Sequence, residues 1–311
     1  MRLRRVPACL GSAATVLALA GCGLGAGPTP AGVTLTVTRG FGSQAVSPAR
    51  PLRLRGEETV MSALMRNFTV STRFGGGFVE SIDGYSGNSS QSPPRDWFYF
   101  INGIEAEKGA AETDVHPGDA IWWDLHDWSA TEEVPAVVGS FPQPFLSGTQ
   151  GKRLPVRVEC AEVTAPACHT VQARLAALGV PAGLSELSSA GETPYTLRVA
   201  VGPWSSVRRL LAATALTRGP RSSGVYATMA PNGSSLALLD ADGHVTRTLA
   251  SGAGIVAAVR YSGEEPLWLV TGTDQAGADL AARAFDRADL ANRFAVALAP
   301  DGQVLPLPEG E

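Results

Sequence analysis

The sequence has few of the residues on which most catalytic and nucleic-acid sites depend. Lysine occurs only at positions 108 and 152, and the whole 311-residue chain contains four histidines. The histidines, at positions 116, 126, 169 and 244, form no pair with metal-site spacing, so we expect no metal site. The formal net charge of −4 argues against a nucleic-acid partner, because phosphate binding needs a basic face.

Recognisable catalytic motifs are missing as well. The sequence has no Gly-x-Ser-x-Gly elbow and no phosphate loop that ends in Gly-Lys-Ser/Thr. The glycines at 75–77 lack the strand and helix that a nucleotide-binding loop requires. A catalytic triad built from distant residues stays open, since triads are spatial arrangements. We therefore expect a non-enzymatic protein without a cofactor.

The first 21 residues predict an export signal. Arg2, Arg4 and Arg5 precede a short apolar stretch, which ends in small residues before Cys22. Leu19-Ala20-Gly21-Cys22 resembles the bacterial lipobox, which implies cleavage before Cys22 and lipid on its sulfur. Residues 22–32, rich in Gly, Pro and Ala, predict a tether. We expect an extracytoplasmic protein anchored to the outer face of the membrane, although an ordinary secretory signal is the alternative.

The remaining cysteines predict one disulfide. Cys9 would leave with the signal peptide and Cys22 would carry lipid, so Cys160 and Cys168 remain. Two exported cysteines eight positions apart are typical of a local disulfide that closes a small loop.

Two globular bodies follow the tether, separated by a Pro/Gly/Ser-rich linker at 131–151. In the first body, residues 33–130, apolar and polar residues alternate in segments that predict strands. These strands surround one predicted helix, which Thr59 is expected to cap. Asn102-Gly103 predicts a tight hairpin turn. One helix with several short strands suggests a β-grasp-like domain and an α+β fold class.

Four pieces of the first body also suggest a family. They are Thr59-Val60 opening a helix, the run Val79–Gly84, the run Asp96–Gly103, and Gly118-Asp119 followed by Ile121-Trp122-Trp123. In this order they resemble the transcobalamin-like C-terminal domain family over residues 33–128. In animal cobalamin carriers the related domain closes over one face of the corrinoid, whereas many bacterial members are surface proteins of unassigned function. The resemblance therefore implies a binding module, with cobalamin as the candidate ligand.

The second body, residues 152–308, predicts an α/β domain with an internal repeat. Residues 197–233 and 267–302 each run strand, helical stretch, strand and an Ala-Pro-Asn/Asp-Gly turn. Residues 156–178 predict a third, incomplete strand–helix unit, and Asp240-Ala241-Asp242-Gly243 predicts a hairpin turn. We expect layered packing, with helices covering a sheet.

Candidate ligand-binding residues come from an aromatic cluster in the first body. Side chains alternate along a strand, so Ile121, Trp123 and Leu125 point one way and Trp122, Asp124, His126 and Trp128 the other. Trp97 and Tyr99 lie on one face of the neighbouring predicted strand. The candidates are Trp97, Tyr99, Trp122, Asp124, His126 and Trp128.

Two functions fit this cluster. The first is capture of a small ligand, with a corrinoid as the candidate and delivery to a membrane transporter as its purpose. The second is a structural or protein-interaction role, in which the second body or a partner covers the aromatic face. A third explanation for the cluster is that both faces of the sheet are hydrophobic core, to which all these aromatic residues belong.

Overall fold

A computed structural model describes residues 32–90, 92–188, 194–261 and 263–311. The predicted signal peptide, Cys22 and the tether up to residue 31 lie outside these residues. Within the described ranges, no helix combines the length and the apolar character that a membrane span requires. The chain folds into an N-terminal domain, residues 32–130, and a C-terminal domain, residues 152–311, so the predicted two-part α+β fold is confirmed.

The described residues of the N-terminal domain form one α-helix, a short 3₁₀ helix (Phe74–Gly76) and two sheets, and the central sheet has the order β2-β1-β8-β6-β7. Strands β1 and β8 are parallel, whereas β1–β2 and β8–β6 are antiparallel. A separate sheet has the order β3-β4-β5. The elements are β1 (Val33–Arg39), β2 (Gln44–Leu52), α1 (Val60–Asn67), β3 (Val70–Arg73), β4 (Phe78–Ile82), β5 (Tyr85–Ser86), β6 (Arg95–Ile101), β7 (Ile104–Glu105) and β8 (Ala120–Asp127).

Helix α1 forms where its first turn is capped. The Thr59 hydroxyl accepts the backbone N–H of Ser62, and the Ser62 side chain accepts the backbone N–H of Thr59. This reciprocal pair satisfies two N–H groups that a helix start otherwise leaves without partners. Val60, Met61, Ala63 and Leu64 then pack on one face of the sheet.

The C-terminal domain is built on a seven-stranded mixed sheet of order β10-β9-β11-β16-β15-β17-β18, in which β10, β9, β11 and β16 are parallel. A second sheet has the order β12-β13-β14. The elements are β9 (Val156–Cys160), α2 (Pro166–Ala177), β10 (Ala182–Glu186), β11 (Leu197–Pro203), α3 (Trp204–Val207), α4 (Pro220–Ser223), β12 (Ala227–Met229), β13 (Leu236–Leu239), β14 (Val245–Leu249), β15 (Gly254–Val259), β16 (Leu267–Gly272), α5 (Gln275–Arg283), α6 (Arg287–Leu290), β17 (Ala295–Leu298) and β18 (Val304–Leu307).

The two predicted repeat units share their element order but differ in shape. After β16 the chain forms α5 and α6 and returns to the same sheet as β17. After β11 it forms only α3, a 3₁₀ helix (Ala212–Thr217) and α4, and β12 belongs to the second sheet. The predicted hairpin around residues 240–243 is present as β13 and β14.

The predicted disulfide is present, joining Cys160 at the end of β9 to Cys168 in α2, with a Cα–Cα distance of 6.0 Å. The predicted linker, residues 131–151, contains no named helix or strand, yet much of it is buried. The Val138 N–H donates to the Phe294 carbonyl, and Asn292 donates to the Gly139 carbonyl. These bonds attach the linker to the C-terminal domain instead of leaving it as a loose tether.

Candidate functional site

Strand β8 presents different residues to the two faces of the N-terminal sheet. Ile121, Trp123 and Leu125 pack with α1, on what we call the helix face. Trp122, Asp124 and His126 lie on the opposite face, which the C-terminal domain covers, and we call this the covered face. The alternation expected from strand geometry therefore divides the predicted candidates between two environments.

Two phenylalanines close the covered face. The Phe294 ring, just before β17, makes edge contacts with Trp122 at 5.4 Å and His126 at 5.1 Å between centroids. Phe41, in the turn after β1, contacts His126 at 4.9 Å and Tyr226 at 5.0 Å. Trp122, at 2% exposure, and His126, at 3%, are consequently sealed between the domains.

Asp124 is the hydrogen-bonding centre of the covered face. Its fully buried carboxylate accepts the Thr38 hydroxyl and the backbone N–H groups of Phe41, at 3.0 Å, and Gly42, at 2.8 Å. The His126 Nδ1 lies 3.0 Å from the carboxylate, and the Trp122 indole N–H donates to Thr38. A buried carboxylate needs such partners, because an unpaired one is strongly unfavourable. The polar residues here hold the turn after β1 against β8.

The other candidates line an open groove beside β6, about 540 Å³ in volume. Its aromatic lining residues are Phe78, Trp97, Phe98, Tyr99, Trp123 and Trp128, and we call it the aromatic groove. Trp97, Tyr99 and Trp123 are largely buried in its base, whereas Trp128 is half-buried at its side. The structure thus brings Trp97, Tyr99 and Trp128 together and separates them from Trp122, Asp124 and His126.

The groove exists because the outer edge of β6 is only partly paired. The two-residue strand β7 pairs only with Phe100 and Ile101, and Asn88 forms an isolated bridge to Arg95. Between these points, in the part of the chain that the structure describes, no strand covers β6. The segment Gly77–Val79 and the loop at 105–110 form walls on either side of the gap.

Carboxyl groups give the groove an acidic character. The Asp96 carboxylate accepts the Trp128 indole N–H at 3.1 Å, and burial raises the pKa of Asp96. The Glu105 carboxylate accepts the Val134 backbone N–H at 2.7 Å, and burial raises the pKa of Glu105 too. Both pKa shifts indicate that water is partly excluded around these groups.

One polar atom at the base of the groove has no hydrogen-bond partner. The indole N–H of Trp123 is buried, and it meets no acceptor among the described residues. Trp123 stacks on Tyr99 with ring centroids 4.7 Å apart, which holds the indole in place. A buried donor without a partner is unfavourable, so an acceptor that reached this N–H would stabilise the site.

Three groups at the hairpin turn also lie close together. Possible ligand atoms of Asp240, Asp242 and His244 are within 4.8 Å of one another on the surface. The Asp240 carboxylate accepts the His244 backbone N–H at 2.8 Å, as an aspartate in a turn does. Turn geometry explains this cluster, and it supports no metal site.

Sequence reasoning missed Asp96 and Glu105 as groove residues. Asp96 adjoins Trp97 in the aromatic run, so a carboxyl beside a candidate ring was visible in the sequence. Glu105 lies beyond the hairpin turn, and only the fold brings it to the groove. Phe41 and Phe294 gave no sequence signal, because they are 253 positions apart and meet through domain packing.

Comparisons with known proteins find a family model that matches part of the N-terminal domain. A family model described as a domain of unknown function, DUF4430, matches residues 57–127. Six solved chains match; one is a protein from Ruminococcus gnavus ATCC 29149 whose description assigns it provisionally to metal binding. It is 18% identical, with 31% of this chain and 96% of that chain covered and a TM-score of 0.26. No curated protein matches. Residues 57–127 are therefore similar to DUF4430, a domain whose function is unknown.

Proposed function

We propose that this protein is a non-enzymatic, lipid-anchored binding protein that captures a small ligand in the aromatic groove. The observation that carries the proposal is an open cavity whose base is aromatic and holds a buried indole N–H without a partner. Concave, mostly apolar sites with a few polar groups are the usual form of small-molecule sites. A corrinoid is the ligand that the resemblance to the transcobalamin-like family implies.

The groove shares features with sites that bind flat ligands. Trp and Tyr side chains offer large contact area with few freely rotating bonds. The volume of about 540 Å³ would hold a small planar molecule, or one part of a larger corrinoid. A complete corrinoid would therefore contact the groove and extend beyond it.

Tryptophan fluorescence tests this function. We expect cobalamin, or another flat ligand, to quench the emission of the full chain that carries Cys22→Ala and is purified without lipid. Trp128→Ala should weaken binding about tenfold, because it removes one aromatic wall. Tyr195→Ala, which removes an exposed aromatic outside the groove, is the matched control. Quenching that both variants retain equally would contradict the proposed site.

The alternative role is structural or protein-interacting, and the covered face favours it. Phe294 of the C-terminal domain packs against Trp122, Phe100 and His126, so the C-terminal domain already covers these aromatic residues. If the groove binds none of the flat ligands tested, stabilising the domain interface would be the supported role of the aromatic cluster.

The membrane anchor is a separate part of the proposal. Lipid on Cys22 would hold the groove-bearing domain near the membrane, where a transporter could receive the ligand. Fractionation of cells tests the anchor: the protein should be in the membrane fraction, and Cys22→Ala should move it to the soluble fraction. A membrane-bound Cys22→Ala protein would contradict lipid attachment at this residue.

A further inference from the structure

The charges around the aromatic groove indicate the class of its ligand. Three carboxyl residues, Asp96, Glu105 and Glu132, line it. Among the described lining residues Lys108 is the single cation, and it is exposed. The three carboxylates and Lys108 therefore give the groove a formal charge of −2 when all four groups are ionised. A groove of this sign repels anionic ligands and attracts cations.

The hydrogen bonds to the two half-buried carboxyls come from neutral groups. Asp96 accepts the Trp128 indole N–H, and Glu105 accepts the Val134 backbone N–H. Both donors are neutral, so neither cancels the carboxylate charge. Arg73, the cation that acts on Asp96, is itself bound to Glu80 at 2.6 Å. Arg260 and His126 act on Glu105, but Arg260 is bound to Glu107 at 2.9 Å and the His126 ring lies 3.0 Å from the Asp124 carboxylate. A cationic ligand would supply the missing charge.

The aromatic residues favour the same ligand class. The faces of Trp and Tyr rings carry negative electrostatic potential, and they attract ammonium groups, most strongly where water is excluded. Trp128 is held by its hydrogen bond to Asp96, so a ring and a carboxylate occupy the same wall. Trp123 adds a buried N–H donor at the base.

Together these features point to one chemistry. We propose that the aromatic groove binds an organic cation, an alkylammonium that also carries a hydrogen-bond acceptor. The aromatic rings and the carboxylates of Asp96 and Glu105 hold the cationic group, and the acceptor meets the Trp123 indole N–H. This inference rests on the proposed function, because it names the ligand class of the same groove.

Choline and its neutral isostere 3,3-dimethyl-1-butanol test the charge requirement. The two molecules have nearly the same shape and the same hydroxyl, and they differ in one positive charge. Titration calorimetry on the full chain with Cys22→Ala should show choline binding about tenfold more tightly than the neutral alcohol. Equal binding, or no choline binding at millimolar concentration, would overturn the cation proposal.

Variants that each remove one carboxylate charge test whether the cation binds in the aromatic groove. Asp96→Asn and Glu105→Gln should each weaken choline binding about threefold and leave the neutral alcohol unchanged. Glu186→Gln, the same type of change at an exposed position in β10, is the control, and thermal unfolding checks that each variant is folded. Unchanged choline binding in both groove variants would contradict the inference. If cobalamin binds through Trp128 while choline does not, the ligand class is wrong and the proposed function stands.

Discussion

Trp122 and Trp123 are neighbours in β8, yet they lie on opposite faces of the sheet and meet different surroundings. Trp123 stacks on Tyr99 in the helix-face core and reaches the base of the groove. Trp122 is enclosed between the domains, where it touches Phe294. Neighbouring aromatic residues thus become a possible binding surface or part of a domain interface according to what packs over them.

The two faces also differ in what surrounds their polar groups. On the covered face, Asp124 accepts two backbone N–H groups and the Thr38 hydroxyl. On the groove side, Asp96 has one indole donor and the Trp123 N–H has no partner. A satisfied network stabilises one arrangement of the chain, whereas a buried donor without a partner costs free energy that an acceptor could recover.

The largest effect should come from Trp122→Ala. Removal of this enclosed side chain creates a cavity between the domains and should cost about 3–5 kcal/mol of unfolding free energy. Trp128→Ala, at the half-buried groove wall, should cost clearly less. Denaturant unfolding followed by circular dichroism gives both values, and equal losses would show that the two faces are not distinct.

Gly139→Ala should test how tightly the covered face is packed. A Cβ atom at residue 139 would lie 2.5 Å from the Trp122 ring and 2.7 Å from the Arg293 backbone. Such overpacking should cost about 1–3 kcal/mol. Gly183→Ala, where a Cβ meets nothing within 4 Å, is the matched control. Equal unfolding free energies for the two variants would contradict the close approach.

Thr59→Ala should have a smaller effect, on the helix face. It removes the hydroxyl that caps α1 and should cost about 1 kcal/mol. Thr59→Ser retains a hydroxyl and should restore most of the loss. Chemical unfolding of the three proteins measures this, and no difference between Ala and Ser would contradict the cap.

The smallest effect should be a change with pH in the contribution of Asp96, on the groove side, to the free energy of unfolding. Burial raises the pKa of Asp96 above its ordinary value of 3.8, so the folded protein binds this proton more tightly than the unfolded chain. Its contribution to stability is therefore lost as the pH rises from 3.8 through the raised pKa. Relative to wild type, Asp96→Asn should gain stability across this range. A difference that stays constant with pH would contradict the shift.

Local patterns predicted much of the N-terminal domain. Thr59 and its helix, the Asn102-Gly103 turn and the alternation along β8 depend on neighbouring residues, which is why the sequence shows them. A single helical stretch was predicted after β11, whereas the structure has α3, a 3₁₀ helix and α4 there. The Cys160–Cys168 disulfide was predictable because its loop is short.

The residue order is enough to assign side chains to faces within β8, because strand geometry alternates with a period of two. The prediction fails for Trp128, which lies one residue beyond β8 and lines the groove instead of the covered face. The sequence also determined the α+β class and the disulfide. Tertiary packing places Phe294 and Phe41 over Trp122 and His126, and it leaves a groove beside β6 where β7 is short. These outcomes depend on contacts between residues far apart in the chain, which local spacing does not encode.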